Sequence, residues 1–437
     1  MMKPRVRIKS LLISFLASRA RTRMVRARAR LRRSGPPVVH YFHQVDDPYS
    51  HLAVQKLREL SNRYLVRFET HLVSSPPADY QGDTTRFNDW ALRDARSIAS
   101  SYGTRLPETV DAIPADQVQL ALQRLAGLEI VNEFADRAVE LGHQLWSGKP
   151  IGGKPSTIDL TLEGNALRQR LGHYLSATFY FEGEWYWGVD RLVHLENRLC
   201  REKYSRDRRT LCVPRPLAES PSGDTSHITL EYFPSLRSPY TAISYERTLK
   251  LVEETGVNFR LRPVMPMMMR GVPAPREKQF YIISDARREA DYYGVPFGRI
   301  VDPIGEPVKR AFSLLPLMES LGKAIDYCGA YLQAAWADGV DITTDEGLRQ
   351  VVESIEVPWE EALPALESND WEALLEDNVN DMLDAGLWGV PSFRVTSDNA
   401  PPFQCWGQDR LWRVETEIAR RVREENQTML TGAGATL

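Results

Sequence analysis

Leu230-Glu231-Tyr232-Phe233-Pro234-Ser235-Leu236-Arg237-Ser238-Pro239-Tyr240-Thr241 reads as a short strand, a turn and the start of a helix. Ser238 is a favourable N-cap, and Pro239 takes the first helical position, where its missing N–H costs nothing. An apolar stripe of Ile243, Leu249 and Leu251 follows, and Gly256 stands past the helix end. The same pattern occurs 191 residues earlier, as Val39-His40-Tyr41-Phe42 … Asp47-Pro48-Tyr49-Ser50, with Asp47 at the N-cap. Working outward, Asp94-Ala95-Arg96, Ala99 and Tyr102-Gly103 match Asp285-Ala286-Arg287, Ala290 and Tyr293-Gly294 at the same offset. Trp146 stands opposite Trp336 at an offset of 190. Trp187-Gly188-x-Asp190-Arg191-Leu192-x-x-x-Glu196 matches Trp406-Gly407-x-Asp409-Arg410-Leu411-x-x-x-Glu415 at an offset of 219. Four blocks in one order, with a single insertion of roughly 28 residues, read as an internal duplication.

Each copy follows one plan. Predicted strands cover 38–42 and 228–233, and helices open at the two caps. Second strands cover 67–73 and 258–264. Long helical stretches follow over 85–170 and 277–388. Strand pairs close the copies at 175–181 with 185–187 and at 392–396 with 403–406, and each copy ends in a helix. The fold class is α/β: a thioredoxin-like core with a helical domain inserted after its second strand, in two tandem copies. The boundaries are a basic arm at 1–35, a first domain at 36–200, a polar linker at 201–226, a second domain at 227–425 and a tail at 426–437. The linker carries Pro214, Pro216, Pro221 and Gly223.

With 437 residues the chain is too long for one ordinary core. A formal charge of −3 hides an asymmetry. Residues 1–33 hold twelve Lys or Arg and no acid, whereas the rest carries 43 basic against 58 acidic residues. Such an arm reads as a solvated or partly helical extension; the alternative reading is an arm that touches anionic lipid or nucleic acid. The apolar stretch 11–17 is too short for a convincing signal peptide and runs into Arg19-Ala20-Arg21. No segment reaches the roughly 18 apolar residues of a membrane span, so a cytoplasmic location is expected. Cys200, Cys212, Cys328 and Cys405 form no C-x-x-C pair, and the eight histidines show no metal-binding spacing, so no metal is expected.

The second copy resembles the DsbA-like branch of the thioredoxin superfamily, and within it the 2-hydroxychromene-2-carboxylate isomerases and kappa-class glutathione transferases. Ser238-Pro239-Tyr240-Thr241 is similar to their Ser-Pro-x-x tetrapeptide, which stands where redox relatives have Cys-Pro-x-Cys. Leu261-Arg262-Pro263, Lys278, Tyr281, Asp285 and Gly294-Val295-Pro296-Phe297 continue the likeness. Gly386 to Phe393 resembles the segment bearing the cis-proline, and Phe403 … Trp406-Gly407-Gln408-Asp409-Arg410-Leu411 resembles the closing motif. The resemblance implies glutathione as cosubstrate and a small organic acid as substrate. It implies Ser238 as the catalytic group, with Val390, Pro391, Gln408 and Asp409 around glutathione. Tyr240, Arg262 and Lys278 are candidates for the substrate side.

A helix N-terminus stabilises an anion, so a thiol resting there loses its proton more readily. Serine cannot supply the sulfur, so an external thiol must. In the first copy Asp47 replaces Ser238, its carboxylate would repel a thiolate, and Ala177 stands for Pro391. That copy reads as a pseudo-domain packed on the second in a monomeric pseudo-dimer. Asp285 with Arg287, like Asp94 with Arg96, reads as a structural ion pair. Met267 to Met269 would line a pocket or fill adaptable core. Two other functions stand beside the isomerase or transferase: a non-catalytic binding or chaperone-like module, and a disulfide oxidoreductase, which the missing C-x-x-C disfavours.

Overall fold

The computed structural model describes residues 3–108, 110–207, 211–398 and 400–433, without the side chains of Asp79 and 428–433. The chain divides into two compact units. The first comprises Thr22–Pro216 and Ala274–Tyr281; the second comprises Met1–Arg21, Leu217–Pro273 and Ile282–Leu437. The first unit's main segment ends at Pro216.

In the first unit, β1 (Val38–His43), β2 (Arg67–Leu72), β3 (Thr178–Phe181) and β4 (Glu184–Trp187) form one sheet in the order β2-β1-β3-β4. The second unit repeats this with β5 (Thr229–Phe233), β6 (Asn258–Leu261), β7 (Ser392–Ser397) and β8 (Ala400–Trp406), in the order β6-β5-β7-β8. In both, the first two strands are parallel and the last two close antiparallel. A parallel pair needs a crossover, and the helices Pro48–Arg63 and Pro239–Thr255 supply it. The register repeats as well. Tyr41 pairs with Phe179 and Tyr232 with Phe393, their rings stacked at 4.6 and 5.1 Å. All four side chains are fully buried.

Two strands are shorter than their sequence suggests, for local reasons. β6 stops at Leu261, just before Pro263, which has no N–H for a ladder. β3 starts only at Thr178 because Ala177 sits at φ 53°, which breaks the extended run. The expected helical stretches are helical: Thr84–Ala99, Ala115–Leu125, Val131–Trp146 and Leu162–Arg170 in one copy, and the run from Arg276–Tyr293 to Asp370–Asp384 in the other. The last helix, Leu411–Ala433, continues into the expected tail, since no Gly or Pro interrupts it before Gly432. Residues 434–437 lie outside the described residues.

The arm is helical over Pro4–Leu16 and Arg19–Arg32. Part of its charge meets the chain's own acids. Lys9 pairs with Asp302 and Arg19 with Asp291 in the second unit, at 3.1 and 2.7 Å. Arg26 pairs with Glu184 and Arg30 with Glu182 in the first, at 2.7 and 3.2 Å. Among the described residues no helix is long and apolar enough to cross a membrane.

Candidate thiol-binding site at a helix N-terminus

Ser238 caps the helix Pro239–Thr255 with extended backbone, at φ −99° and ψ 119°. Its Oγ accepts the Thr241 N–H at 3.2 Å, and its own N–H donates to the Ser235 carbonyl at 2.9 Å. The residue is 8% exposed. Its hydroxyl proton is given to none of the described residues, so a donor directed at no protein acceptor stands at the positive end of a 17-residue helix. The hydroxyl of Ser235, one turn of chain earlier, is buried without a partner.

The Val390–Pro391 peptide is cis. The Pro391 carbonyl accepts the Gly407 N–H at 2.9 Å, which ties the proline turn to the closing motif. No hydrogen bond joins the main chain of Val390 to another described residue. Gly407 has φ 117°, and a side chain there would drive its Cβ to 2.5 Å from the Asp409 carboxylate. Glycine is therefore required where the chain turns toward Asp409. Asp409 lies 3.6 Å from Arg410 Nη1. Gln408 is turned inward: its amide donates to Glu289 at 2.6 Å and accepts from Arg247 at 2.9 Å.

Each substrate candidate has protein partners of its own. The Tyr240 hydroxyl donates to Asp285 at 2.9 Å. Arg262 binds Asn378 at 2.9 Å, Glu231 at 3.0 Å and Asp381, within an open cleft lined also by Arg260, Arg394 and Thr396. Neither Ser238, Pro391 nor Asp409 lines that cleft. Burial works against the Glu231 carboxylate, but Arg394 and Arg262 hold its pKa below the ordinary value. Lys278 belongs to the first unit, where it donates to the Tyr80 carbonyl at 2.6 Å and burial lowers its pKa to about 8. The expected Asp285–Arg287 pair is replaced. Two residues apart on a helix point to different faces, so Asp285 takes Arg288 at 3.5 Å while Arg287 takes Asp291 at 2.8 Å.

The first unit fills the corresponding point. Asp47 caps Pro48–Arg63 at φ −99° and ψ 121°. It accepts from the N–H groups of Tyr49 and Ser50 at 3.3 and 2.9 Å, and from the hydroxyls of Ser50 and Ser176 at 2.7 and 2.9 Å. Burial nonetheless raises its pKa. The strand register aligns Phe179 with Phe393, hence Ala177 with Pro391 and Ser176 with Val390. The Ser176–Asp47 bond thus shows, in the first copy, that the residue before the proline position touches the helix cap.

Sequence reasoning missed two groups. Arg237, the residue before Ser238, is clamped by Asp302 at 2.9 Å and touches the Met268 sulfur at 2.9 Å. Asp302 is in turn bridged by Lys9. Burial pushes this carboxyl up, yet Arg237 and Lys9 hold it below its ordinary range. Residues 9, 237 and 302 lie in separate stretches of chain, so no local signal marks them. Ser176 becomes meaningful only once the register is known.

Residues 229–419 match the family model of the DSBA-like thioredoxin domain. Among solved structures, the chain is similar to a 2-hydroxychromene-2-carboxylate isomerase, with 20% identity, 46% of this chain and 98% of that chain covered, and a TM-score of 0.39. It is similar to cytosolic disulfide reductase DsbM from Pseudomonas aeruginosa with GSH, with 18% identity, coverage of 46% and 99%, and a TM-score of 0.31. A third is oxidoreductase DsbA from Xylella fastidiosa, with 14% identity, coverage of 47% and 91%, and a TM-score of 0.30. No curated protein sequence matches the chain. With its parallel-then-antiparallel sheet, its inserted helices and its cis Val390–Pro391 peptide, the segment 229–419 is a DsbA-like thioredoxin domain.

Proposed function

We propose that the second unit binds glutathione with its sulfur at the N-terminus of the helix Pro239–Thr255, and that it serves a glutathione-dependent isomerase or transferase reaction on a small organic acid. The observation that carries this reading is the Ser238 hydroxyl, which accepts from Thr241 and donates to no described residue. A sulfur anion at that point would take the free O–H as a donor, and the helix end would favour the charged form. The Val390 main chain, next to the cis peptide, offers an N–H and a C=O to the peptide part of the ligand, as an added strand does. The carboxylate of Asp409 suits an ammonium group. Gln408 and Gly407 hold Asp409 in place, and Pro391 sets the direction of Val390. When bound, the thiol supplies a nucleophile that adds reversibly to an electrophilic double bond. A reducing compartment such as the cytoplasm suits both this ligand and four cysteines that form no disulfide.

Calorimetric titration of glutathione into the full chain tests the reading. Saturable 1:1 binding is expected, weakened at least tenfold in Ser238→Ala with an unchanged far-UV spectrum. Absence of binding, or equal binding by both proteins, would replace it with a non-catalytic binding module.

A further inference from the structure

The first sheet carries a cluster that its sequence spacing conceals. On the parallel strands β1 and β2, His40 lies opposite Glu69, and His71 is two residues further along the same face. His40 Nδ1 is 3.0 Å from His71 Nε2 and 3.3 Å from Glu69 Oε2. One ligand atom from each residue falls within 4.8 Å of the others. We infer that His40, Glu69 and His71 form a binding site for a divalent transition ion of the zinc type. Tetrahedral ligands about 2.0–2.2 Å from zinc stand about 3.3–3.6 Å apart; the His40–Glu69 distance of 3.3 Å matches, and the two rings, hydrogen-bonded at 3.0 Å, would open by a few tenths of an ångström to admit the ion. Two imidazoles and a carboxylate suit zinc and its neighbours better than calcium or magnesium. Arg67 holds the other Glu69 oxygen and so orients the carboxylate. Three protein ligands leave a fourth position for water on this half-exposed face. In the second sheet the equivalent positions are Glu231, Arg260 and Arg262, which cannot ligate a cation as a set.

The test is titration of Co2+ into untagged, chelator-stripped full chain, read by its visible absorption, with Zn2+ in competition. One equivalent should bind and be displaced by zinc. His71→Ala and Glu69→Gln should each weaken binding at least tenfold, and His227→Ala, remote in sequence and in the other unit, should not change it. Cobalt bound with less than one equivalent, or unaffected by both His71→Ala and Glu69→Gln, would overturn the site. Two different substitutions guard against a single misfolded variant.

A second inference rests on the arm. In the helix Pro4–Leu16, Ser10 and Ser14 bond Ile300, Lys9 pairs with Asp302 and Ala17 is buried, so one side is anchored to the second unit. On the opposite side Ile8, Leu11, Leu12 and Phe15 are 60, 63, 61 and 46% exposed. They follow the i, i+3, i+4, i+7 spacing of one helix face, and Lys3, Arg5 and Arg7 beside them are exposed and have no acid in the arm to neutralise them. We propose that this face lies in the surface of an anionic lipid bilayer. Apolar burial combined with basic flanks is what such a surface rewards, whereas a nucleic acid would leave four large apolar side chains in water. Flotation of the full chain with phosphatidylcholine vesicles, alone or with phosphatidylglycerol, tests it. Binding to the anionic vesicles only, lost at least tenfold in Leu11→Ser with Phe15→Ser, is expected. No binding, equal binding to both vesicles, or association with duplex DNA that survives those substitutions would overturn it.

Discussion

The two helix caps have the same backbone and different chemistry. Asp47 and Ser238 share φ −99° and differ by two degrees in ψ. Both precede a proline in the first turn of the helix. At the first cap a carboxylate collects four donors and Ser176 reaches across to it, so the helix end is closed by the protein itself. At the second cap a hydroxyl satisfies a single N–H and keeps its own proton, while Val390, whose side chain has no hydrogen-bonding group, replaces Ser176. A helix needs some cap in either copy. Only a cap that under-satisfies the helix end leaves room for an external anion.

The largest expected difference between the copies is their response to acid. Seven of the eight histidines fall in the first copy. Burial lowers the pKa of His43 and of His51 to about 3, and that of His173 well below its ordinary value. Folded pKa values below the unfolded one mean that the unfolded chain binds more protons, so this stability is full above about pH 6.5 and is lost as pH falls. Each ring should cost roughly 2 kcal/mol between pH 7 and 5. Hydrogen exchange should show 38–72 losing protection on acidification before 229–261. Simultaneous loss would mean that the buried rings do not control the first unit.

Next in size, Asp47→Ala should destabilise the first unit by about 2 kcal/mol, because two N–H groups and two hydroxyls lose their acceptor. Ser238→Ala should cost about 1 kcal/mol, since one N–H is affected. Denaturant melts of the two variants would show whether the caps differ as their bonding does. Ser238→Asp sharpens the comparison further by giving the second cap the chemistry of the first. Glutathione affinity should fall at least tenfold, about 1.4 kcal/mol, with the fold retained. The smallest effects belong to what the copies share. Tyr49 donates to Asp94 at 2.8 Å as Tyr240 does to Asp285 at 2.9 Å. Tyr49→Phe and Tyr240→Phe should each cost about 1 kcal/mol, and the latter should leave glutathione binding unchanged. A large loss of binding in Tyr240→Phe would move this hydroxyl from packing to the site.

The fold was legible because its signals are local or repeated. Ser238-Pro239 and Asp47-Pro48 announce helix starts through one residue's hydrogen bonding and the next one's fixed φ. The constant offset of 191 that links Phe42 to Phe233 and Gly103 to Gly294 exposes the repeated plan, which the two sheets repeat strand by strand. The candidate site was legible only in part. The cis peptide at Pro391 and the cap at Ser238 come from short motifs, but Lys278 is a charged residue at a plausible position whose partner, the Tyr80 carbonyl, lies nearly 200 residues away in the chain.

Sequence alone therefore determined what depends on neighbours along the chain: the caps, the turns, the two copies and the absence of a protein thiol beside Pro239. Tertiary structure decided what depends on distant neighbours. It brought Ser176 onto Asp47, Lys9 and Asp302 behind Arg237, and His40 against Glu69 and His71. The physical reason is that hydrogen bonds and ligand contacts act over about 3 Å, and only strand register and helix packing bring residues so far apart in the chain within that reach.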